Sequence, residues 1–178
     1  MDINEVFTTA DLLYAREAVE TALDRMAEAI SARLKNSDPV LLCVLTGGIV
    51  PVGHLLTRLN FPLQLDYAHA TRYDNQTSGG DLNWIAQPSI SLAGRVVLVV
   101  DDILDEGITL DALINYVHSA GAVDVLSAVL VRKDRPRRIA LQPDFVGLEI
   151  PDRYVFGYGM DYHGYWRNAA GIYAVKGL

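Results

Sequence analysis

The sequence predicts an α/β fold: a doubly wound, mainly parallel sheet with a small lobe at its C-terminal end. Three observations carry this. Apolar runs such as "PVLLCVL" (39–45) and "RVVLVV" (95–100) are continuous rather than alternating, as in strands covered on both faces. Stretches with helical spacing follow them in alternation, which builds parallel strands joined by helical crossovers. The segment "PDRYVFGYGMDYHGYWRNAAGIYAVKGL" (151–178) is dense in glycine and aromatic residues and has no helical period. It reads as an irregular hood packed over one end of the sheet.

Taken in order, residues 10 to about 35 place Leu12, Val19, Leu23, Met26, Ile30 and Leu34 at spacings of three, four and seven. That is one face of an amphipathic helix, with Thr8 or Thr9 available as its N-cap. The apolar run 39–45 is the first core strand, and "IVPVGHLLTRL" after Gly47 and Gly48 turns back as a short helix. "PLQLDYAHA" (62–70) alternates and reads as a strand. Residues 72 to 92 are polar, contain Gly79, Gly80 and Pro88, and read as a long surface loop. A loop of this length in a compact domain is often functional, so 72–88 is the expected lid. A strand over 95–101, a helix over 109–119, a strand over 123–131 and another near 145–150 complete the alternation.

The 178 residues are expected to form a single domain, long enough to bury a substantial core. A formal charge of −7 argues against a nucleic-acid partner, which would want a basic face. The single cysteine, Cys43, lies within "VLLCVL" and reads as a buried small hydrophobe. "MDINEVFTTAD" has neither the basic flank nor the apolar core of a signal peptide. No run reaches the roughly 18 apolar residues of a membrane span. The expectation is therefore a cytoplasmic protein without membrane contact, and Asn75-Gln76-Thr77 is loop chemistry rather than a glycosylation acceptor. The four histidines show no metal-ligand spacing.

The chemistry concentrates where strands end, since ligands of open α/β sheets bind beyond the carboxyl ends of the strands. "LTGG" (45–48) offers glycines that let backbone approach an anion. The stretch Gly48 to Leu55 nearly spells a P-loop but lacks its Lys and its Ser/Thr, so a P-loop nucleotidase is rejected. No G-x-G-x-x-G follows a strand either. "RVVLVVDDILDEGIT" (95–109) is the stronger signal, with Asp101, Asp102, Asp105 and Glu106 crowded within six positions. Like charges this close repel unless cations or hydroxyls sit among them. Asp105-Glu106-Gly107-Ile108-Thr109 opens a helix whose free backbone N–H groups form a natural monophosphate cradle. Asp101 and Asp102 can accept hydrogen bonds from vicinal sugar hydroxyls or bind Mg²⁺ through water. Hydroxyls beside a phosphate cradle describe a ribose phosphate.

"VVLVVDDILDEGIT" resembles the phosphoribosyl-pyrophosphate signature of the type I phosphoribosyltransferases. With "VLVRKDRPRR", "PDFVGLEIPDRYVFGYGMDY" and "YWRN" following in order, the chain is most similar to the hypoxanthine-guanine branch of that family. The resemblance runs from "VLTGG" to "YWRN". It implies the type I fold and a purine-salvage reaction with Mg²⁺ as cofactor. Phosphoribosyl pyrophosphate, hypoxanthine and guanine are its implied substrates, and IMP, GMP and pyrophosphate its products. It also implies a homo-oligomer, dimer or tetramer. Residue by residue, it implies that Asp101 and Asp102 hold the ribose 2′- and 3′-hydroxyls and that Asp105 is the general base near purine N7. Residues 105–109 would cradle the 5′-phosphate. Thr46, Gly47, Gly48 and Arg167 would contact pyrophosphate, with a cis peptide entering the loop. Lys133 would reach the purine 6-oxygen, Tyr154 stack on the ring and Val155 read its edge. Asp161 would help hold a Mg²⁺ that binds pyrophosphate and would also line the purine site, with Asp101 and Asp102 as the other candidate metal carboxylates. Arg72 and Tyr73 would begin the lid.

Three positions depart from the family pattern: Thr46 stands where Lys or Arg is usual, Glu106 replaces a Ser or Thr, and Asp101 shortens the usual Glu by one methylene. The rival reading is a regulatory relative of the same fold that binds RNA or DNA and senses nucleotides. The acidic composition supplies no basic surface for it, and Asp105 is retained. Plainer readings also exist for Lys133 as a solvated charge in "RKDRPRR" and for Arg167 as a cation stacked on Trp166 or Tyr165.

Overall fold

The computed structural model describes residues 2–72, 82–137 and 139–177. A short helix α1 (Ile3–Thr9) leads into strand β1 (Asp11–Ala15) and a long helix α2 (Arg16–Leu34). Then follow β2 (Val40–Val44), α3 (Ile49–Leu56), β3 (Gln64–Arg72), β4 (Leu82–Ala86), β5 (Val96–Leu104) and α4 (Ile108–Ser119). The chain ends through β6 (Asp124–Asp134), β7 (Phe145–Pro151), β8 (Val155–Phe156) and β9 (Gly171–Ala174).

A six-stranded sheet of order β4-β3-β2-β5-β6-β7 forms the body, parallel throughout except where β4 runs antiparallel to β3. The continuous apolar runs have the predicted cause. Leu41, Cys43, Leu98 and Val100 pack on one face with Val19, Leu23, Met26 and Ile30 of α2 and Val52 and Leu55 of α3. Val40, Leu42, Val44, Val97 and Val99 pack on the other with Leu110, Leu113 and Val117 of α4. Burying side chains of this size stabilises the fold by about 1.5–3 kcal/mol each. Cys43 is buried, and desolvation, reinforced by Asp101 and Asp102, pushes its thiol up to about 12.

The structure corrects four sequence expectations. The helix expected from residue 10 begins only at Arg16. Residues 11–15 pair antiparallel with β9 instead, Leu12 is left 54% exposed, and the Tyr14 hydroxyl donates to Glu149 O at 2.8 Å. Thr8 and Thr9 therefore cap nothing ahead of α2; both hydroxyls bond back to Glu5 O at the end of α1. The loop expected over 72–92 contains β4, whose Trp84 packs against Tyr116 of α4 with ring centroids 4.6 Å apart. The part of the lid at 82–86 is thus a sheet edge. Arg72 closes β3, and Tyr73 with the remaining lid positions to 81 lies outside the described residues. Strand β5 also runs past 101 to Leu104, still paired with β6 as far as Arg132. The acid pair therefore stands within the strand rather than beyond it.

The hood is more regular than expected, and it is not confined to 151–178. Its sheet, β1-β9-β8, takes a strand from the N-terminal region. Phe156, Tyr162, Ala169 and Val175 bury against Val6 of α1. Phe7 stacks on Trp166 at 4.7 Å, and the Trp166 indole N–H donates to Ile3 O at 2.8 Å. These contacts fix the hood over the carboxyl edge of the large sheet, where the site lies.

Candidate active site

Neighbouring strands β2, β5 and β6 deliver the site from their carboxyl ends: the 45–48 loop from β2, the acids from β5 and Lys133 from β6. After β5 the chain makes one turn, with Gly107 at φ +82°, and enters α4. A side chain at Gly107 would be strained in this left-handed conformation, which explains the glycine between the acids and the helix. Residues 105–109, with Asp101, Asp102, Gly47, Asp161 and Arg167, line a cleft of about 320 Å³. The N-terminal turn of α4 opens into it, so Glu106, Gly107, Ile108 and Thr109 stand where the sequence placed a phosphate cradle.

Asp101 and Asp102 sit at the floor. Burial and the neighbouring Asp102 charge push the Asp101 carboxyl well above its usual range, although its Oδ1 accepts the Asp102 N–H at 2.9 Å. Burial raises Asp102 as well, against the pull of Arg167, whose Nη1 lies 3.9 Å from its Oδ2. Arg167 and the local hydrogen bonds thus offset the burial of the two acids only in part, a state that sugar hydroxyls or a cation would relieve.

The loop after β2 lies directly above. The Leu45–Thr46 peptide is cis, as the resemblance implied. A Cβ at Gly47 would fall 1.9 Å from Asp102 Oδ2, and one at Gly159 would fall 2.2 Å from Gly47 O. Gly47 is therefore the point where loop, acid pair and hood meet. A Cβ at Gly48 would meet Val44 O at 2.5 Å and Val100 O at 2.9 Å, so this glycine seats the loop against the strands. Thr46 is exposed and lines neither cleft. Arg167 does not stack on Trp166 or Tyr165: its Nη2 bonds Asp161 Oδ1 at 2.6 Å and its Nη1 donates to Gly159 O at 2.6 Å. Asp161 Oδ2 accepts from Gly164 N at 2.7 Å.

A second cleft of about 230 Å³ adjoins the first, lined by Lys133, Tyr154, Val155 and Met160, with Asp102, Ile103, Asp105 and Asp161 common to both. Tyr154 is 40% exposed, with its ring centroid 5.5 Å from that of Tyr162 and 6.5 Å from that of His163. Val155 is buried in β8, paired with Ala174. Lys133 is not a solvated charge. It is 8% exposed, and its Nζ lies 2.8 Å from Asp105 Oδ2. Desolvation raises the Asp105 carboxyl, but hydrogen bonding to Lys133 and the charges of Lys133 and Arg135 outweigh it, so the net direction is down.

Sequence reasoning missed three residues here. Arg135 Nη1 lies 2.9 Å from Asp105 Oδ1, Asp152 Oδ1 lies 3.4 Å from Arg135 and 3.7 Å from Lys133, and Arg137 Nε donates to Asp105 O at 3.1 Å. A signal existed in the i, i+2, i+4 spacing of Lys133, Arg135 and Arg137 at a strand end. Among the described residues, no three His, Cys, Asp or Glu side chains converge closely enough to hold a metal alone. No described helix is long and apolar enough to cross a membrane.

Comparison with known proteins agrees with this geometry. Residues 9–163 match the phosphoribosyl transferase domain family. The human hypoxanthine-guanine phosphoribosyltransferase is 33% identical over 94% of this chain and 78% of its own length. The hypoxanthine-guanine-xanthine phosphoribosyltransferase of Tritrichomonas foetus is 31% identical over 93% of this chain and 91% of its own. The solved hypoxanthine phosphoribosyl transferase of Trypanosoma cruzi, 26% identical, superposes with a TM-score of 0.88 over 93% of this chain and 91% of that one. With an acid-lined cleft at the end of a mainly parallel sheet and this match across most of its length, the chain belongs to the phosphoribosyltransferase family.

Proposed function

We propose that this protein transfers the 5-phosphoribosyl group from phosphoribosyl pyrophosphate to hypoxanthine and guanine, giving IMP or GMP and pyrophosphate. The observation that carries this reading is the pair of adjoining clefts sharing Asp102, Ile103, Asp105 and Asp161. One offers a helix N-terminus and buried carboxylates, the other a ring face and a lysine. A purine in the second would meet a ribose in the first at their common wall.

In the reaction, purine N9 attacks the anomeric carbon while the bond from that carbon to pyrophosphate oxygen breaks, its electron pair leaving with pyrophosphate. Asp105 takes the proton from purine N7; its lowered pKa keeps it ionised and ready to accept. Asp101 and Asp102 hold the ribose hydroxyls, residues 105–109 the 5′-phosphate, and the 46–48 loop with Arg167 the pyrophosphate. Tyr154 stacks on the purine, and Val155 meets its edge through backbone groups. Lys133 bonds the 6-oxygen: its ammonium has donors only, so it pairs with a 6-oxo group and opposes adenine's 6-amino group.

The carboxylates also fit Mg²⁺. Asp101, Asp102 and Asp161 are hard oxygen donors, and Arg167 compensates the first two only in part. Mg²⁺ commonly binds one or two carboxylates together with substrate phosphates, which suits a site without a complete protein ligand set. When bound there it would neutralise charge on the departing pyrophosphate.

Incubation with phosphoribosyl pyrophosphate, hypoxanthine and Mg²⁺ should give IMP and pyrophosphate in equal amounts. Pyrophosphate release without nucleotide, or no turnover with either 6-oxopurine, would overturn the proposal.

A further inference from the structure

Arg135 lines neither cleft, yet it reaches the candidate base from behind. Its position follows from topology: β5, β6 and β7 are adjacent and parallel, with Leu104 in register with Arg132 and Asp134 with Pro151. The residues just past these ends, Asp105, Arg135 and Asp152, are therefore neighbours. Arg135 Nη1 lies 2.9 Å from Asp105 Oδ1, while Lys133 Nζ lies 2.8 Å from the other oxygen, Oδ2. Asp152 Oδ1 faces both cations, at 3.4 Å and 3.7 Å. The base thus has two positive partners on separate oxygens.

The proposed reaction asks two things of Lys133. It must bond the purine 6-oxygen, yet in the free protein it is the ion-pair partner of Asp105. As its charge turns to the purine, Asp105 would lose that partner just as its carboxylate must stay aimed and ionised. Arg135 removes the conflict. Being outside both clefts, it does not have to move when the purine enters, and Asp152 Oδ1 also meets its Nη1 at 3.4 Å.

We propose that Arg135 is a positioning residue for proton transfer: it holds Asp105 through Oδ1 so that Lys133 is free to engage the purine. The proposal rests on the purine phosphoribosyltransferase reading and on Asp105 as base. Among the described residues, the charged groups around Asp105 are Lys133, Arg135 and Arg137 from the β6 end, Asp152 from the β7 end, Glu106 beside it in the loop, and Asp102 and Asp161, which share its two clefts. Of the cations, Lys133 and Arg135 meet the carboxylate itself, and Arg137 meets the backbone carbonyl. Loss of Arg135 would therefore leave Asp105 with a higher pKa and with Lys133 as its one cationic carboxylate partner among the described residues.

The test is steady-state kinetics of Arg135→Ala and Arg135→Lys across pH, with Asp105→Asn in the same series. Arg135→Ala should lower kcat/KM for hypoxanthine by about fivefold, the scale of a charge-assisted bond discounted for partial exposure. The acid limb of its pH profile should move to higher pH, and KM for phosphoribosyl pyrophosphate should not change. Arg135→Lys should recover most of the loss. Wild-type hypoxanthine kinetics and an unmoved acid limb in Arg135→Ala, beside an inactive Asp105→Asn, would overturn this inference alone. Full turnover in Asp105→Asn would instead remove the base assignment beneath it.

Discussion

The buried acid pair makes a prediction in which stability and activity move in opposite directions. Asp101→Asn keeps the size of the side chain and an oxygen able to accept the Asp102 N–H, which Asp101 Oδ1 now does at 2.9 Å. What it removes is one of two adjacent carboxylates that burial already pushes upward in pKa, Asp101 further by the Asp102 charge. The nearest cation, Arg167, is 3.9 Å from Asp102 and also bonded to Asp161, so it offsets the repulsion only in part. Relieving one such charge in a strained site is worth about 2 kcal/mol. For a chain of this size that corresponds to a rise in Tm of roughly 4–8 °C. The sign depends on pH. Asp101 has a raised folded-state pKa, so the wild type loses stability as pH rises from the unfolded value, about 4, through the folded one. In the variant the Asp101 contribution is gone, and only Asp102 of the pair still titrates. Denaturant unfolding of ligand-free protein without Mg²⁺ should show the two proteins matching near pH 4 and the variant more stable at pH 8. Its kcat/KM for phosphoribosyl pyrophosphate should fall by at least about tenfold, since a charged ribose or metal ligand is gone. A variant less stable than wild type at pH 8, or equally shifted at every pH, would refute the reasoning.

Lys133→Ala should lower kcat/KM for hypoxanthine by about 100-fold while the protein stays folded, because the purine oxygen loses a charged donor; unchanged hypoxanthine kinetics would remove Lys133 from the site. Gly47→Ala should cost at least about tenfold in kcat, because its Cβ would lie 1.9 Å from Asp102 Oδ2 and must displace either the loop or the acid. Wild-type kinetics in that variant would show that the loop tolerates movement. Cys43, with its thiol raised to about 12, should resist iodoacetamide at pH 8 until the protein is unfolded by denaturant. Rapid labelling of the native protein would contradict its burial.

What the sequence disclosed and what it hid follow from how far apart the interacting residues lie. The acid pair, Gly107 and the phosphate turn are contiguous, so strand, turn and helix signals coincide within fifteen residues, 95–109. Residues 11–15 were hidden because their strand character comes from pairing with 171–174, while their own spacing continues the periodicity of α2. The β4 strand was hidden for a similar reason: its polar flanks read as loop, and its anchor, Trp84 on Tyr116, is a tertiary contact. Arg135 and Asp152 looked like ordinary surface charges because only the parallel register of β5, β6 and β7 brings them to Asp105.

The most direct measurement of the central claim is kcat/KM for hypoxanthine and for adenine, each with saturating phosphoribosyl pyrophosphate and Mg²⁺. A site whose buried lysine is built to donate to a 6-oxo group leaves that charge opposed by a 6-amino group, a mismatch that typically separates substrates by about 10⁴-fold. The account predicts efficient use of hypoxanthine and a preference over adenine of that order. Comparable kcat/KM for the two bases would contradict it.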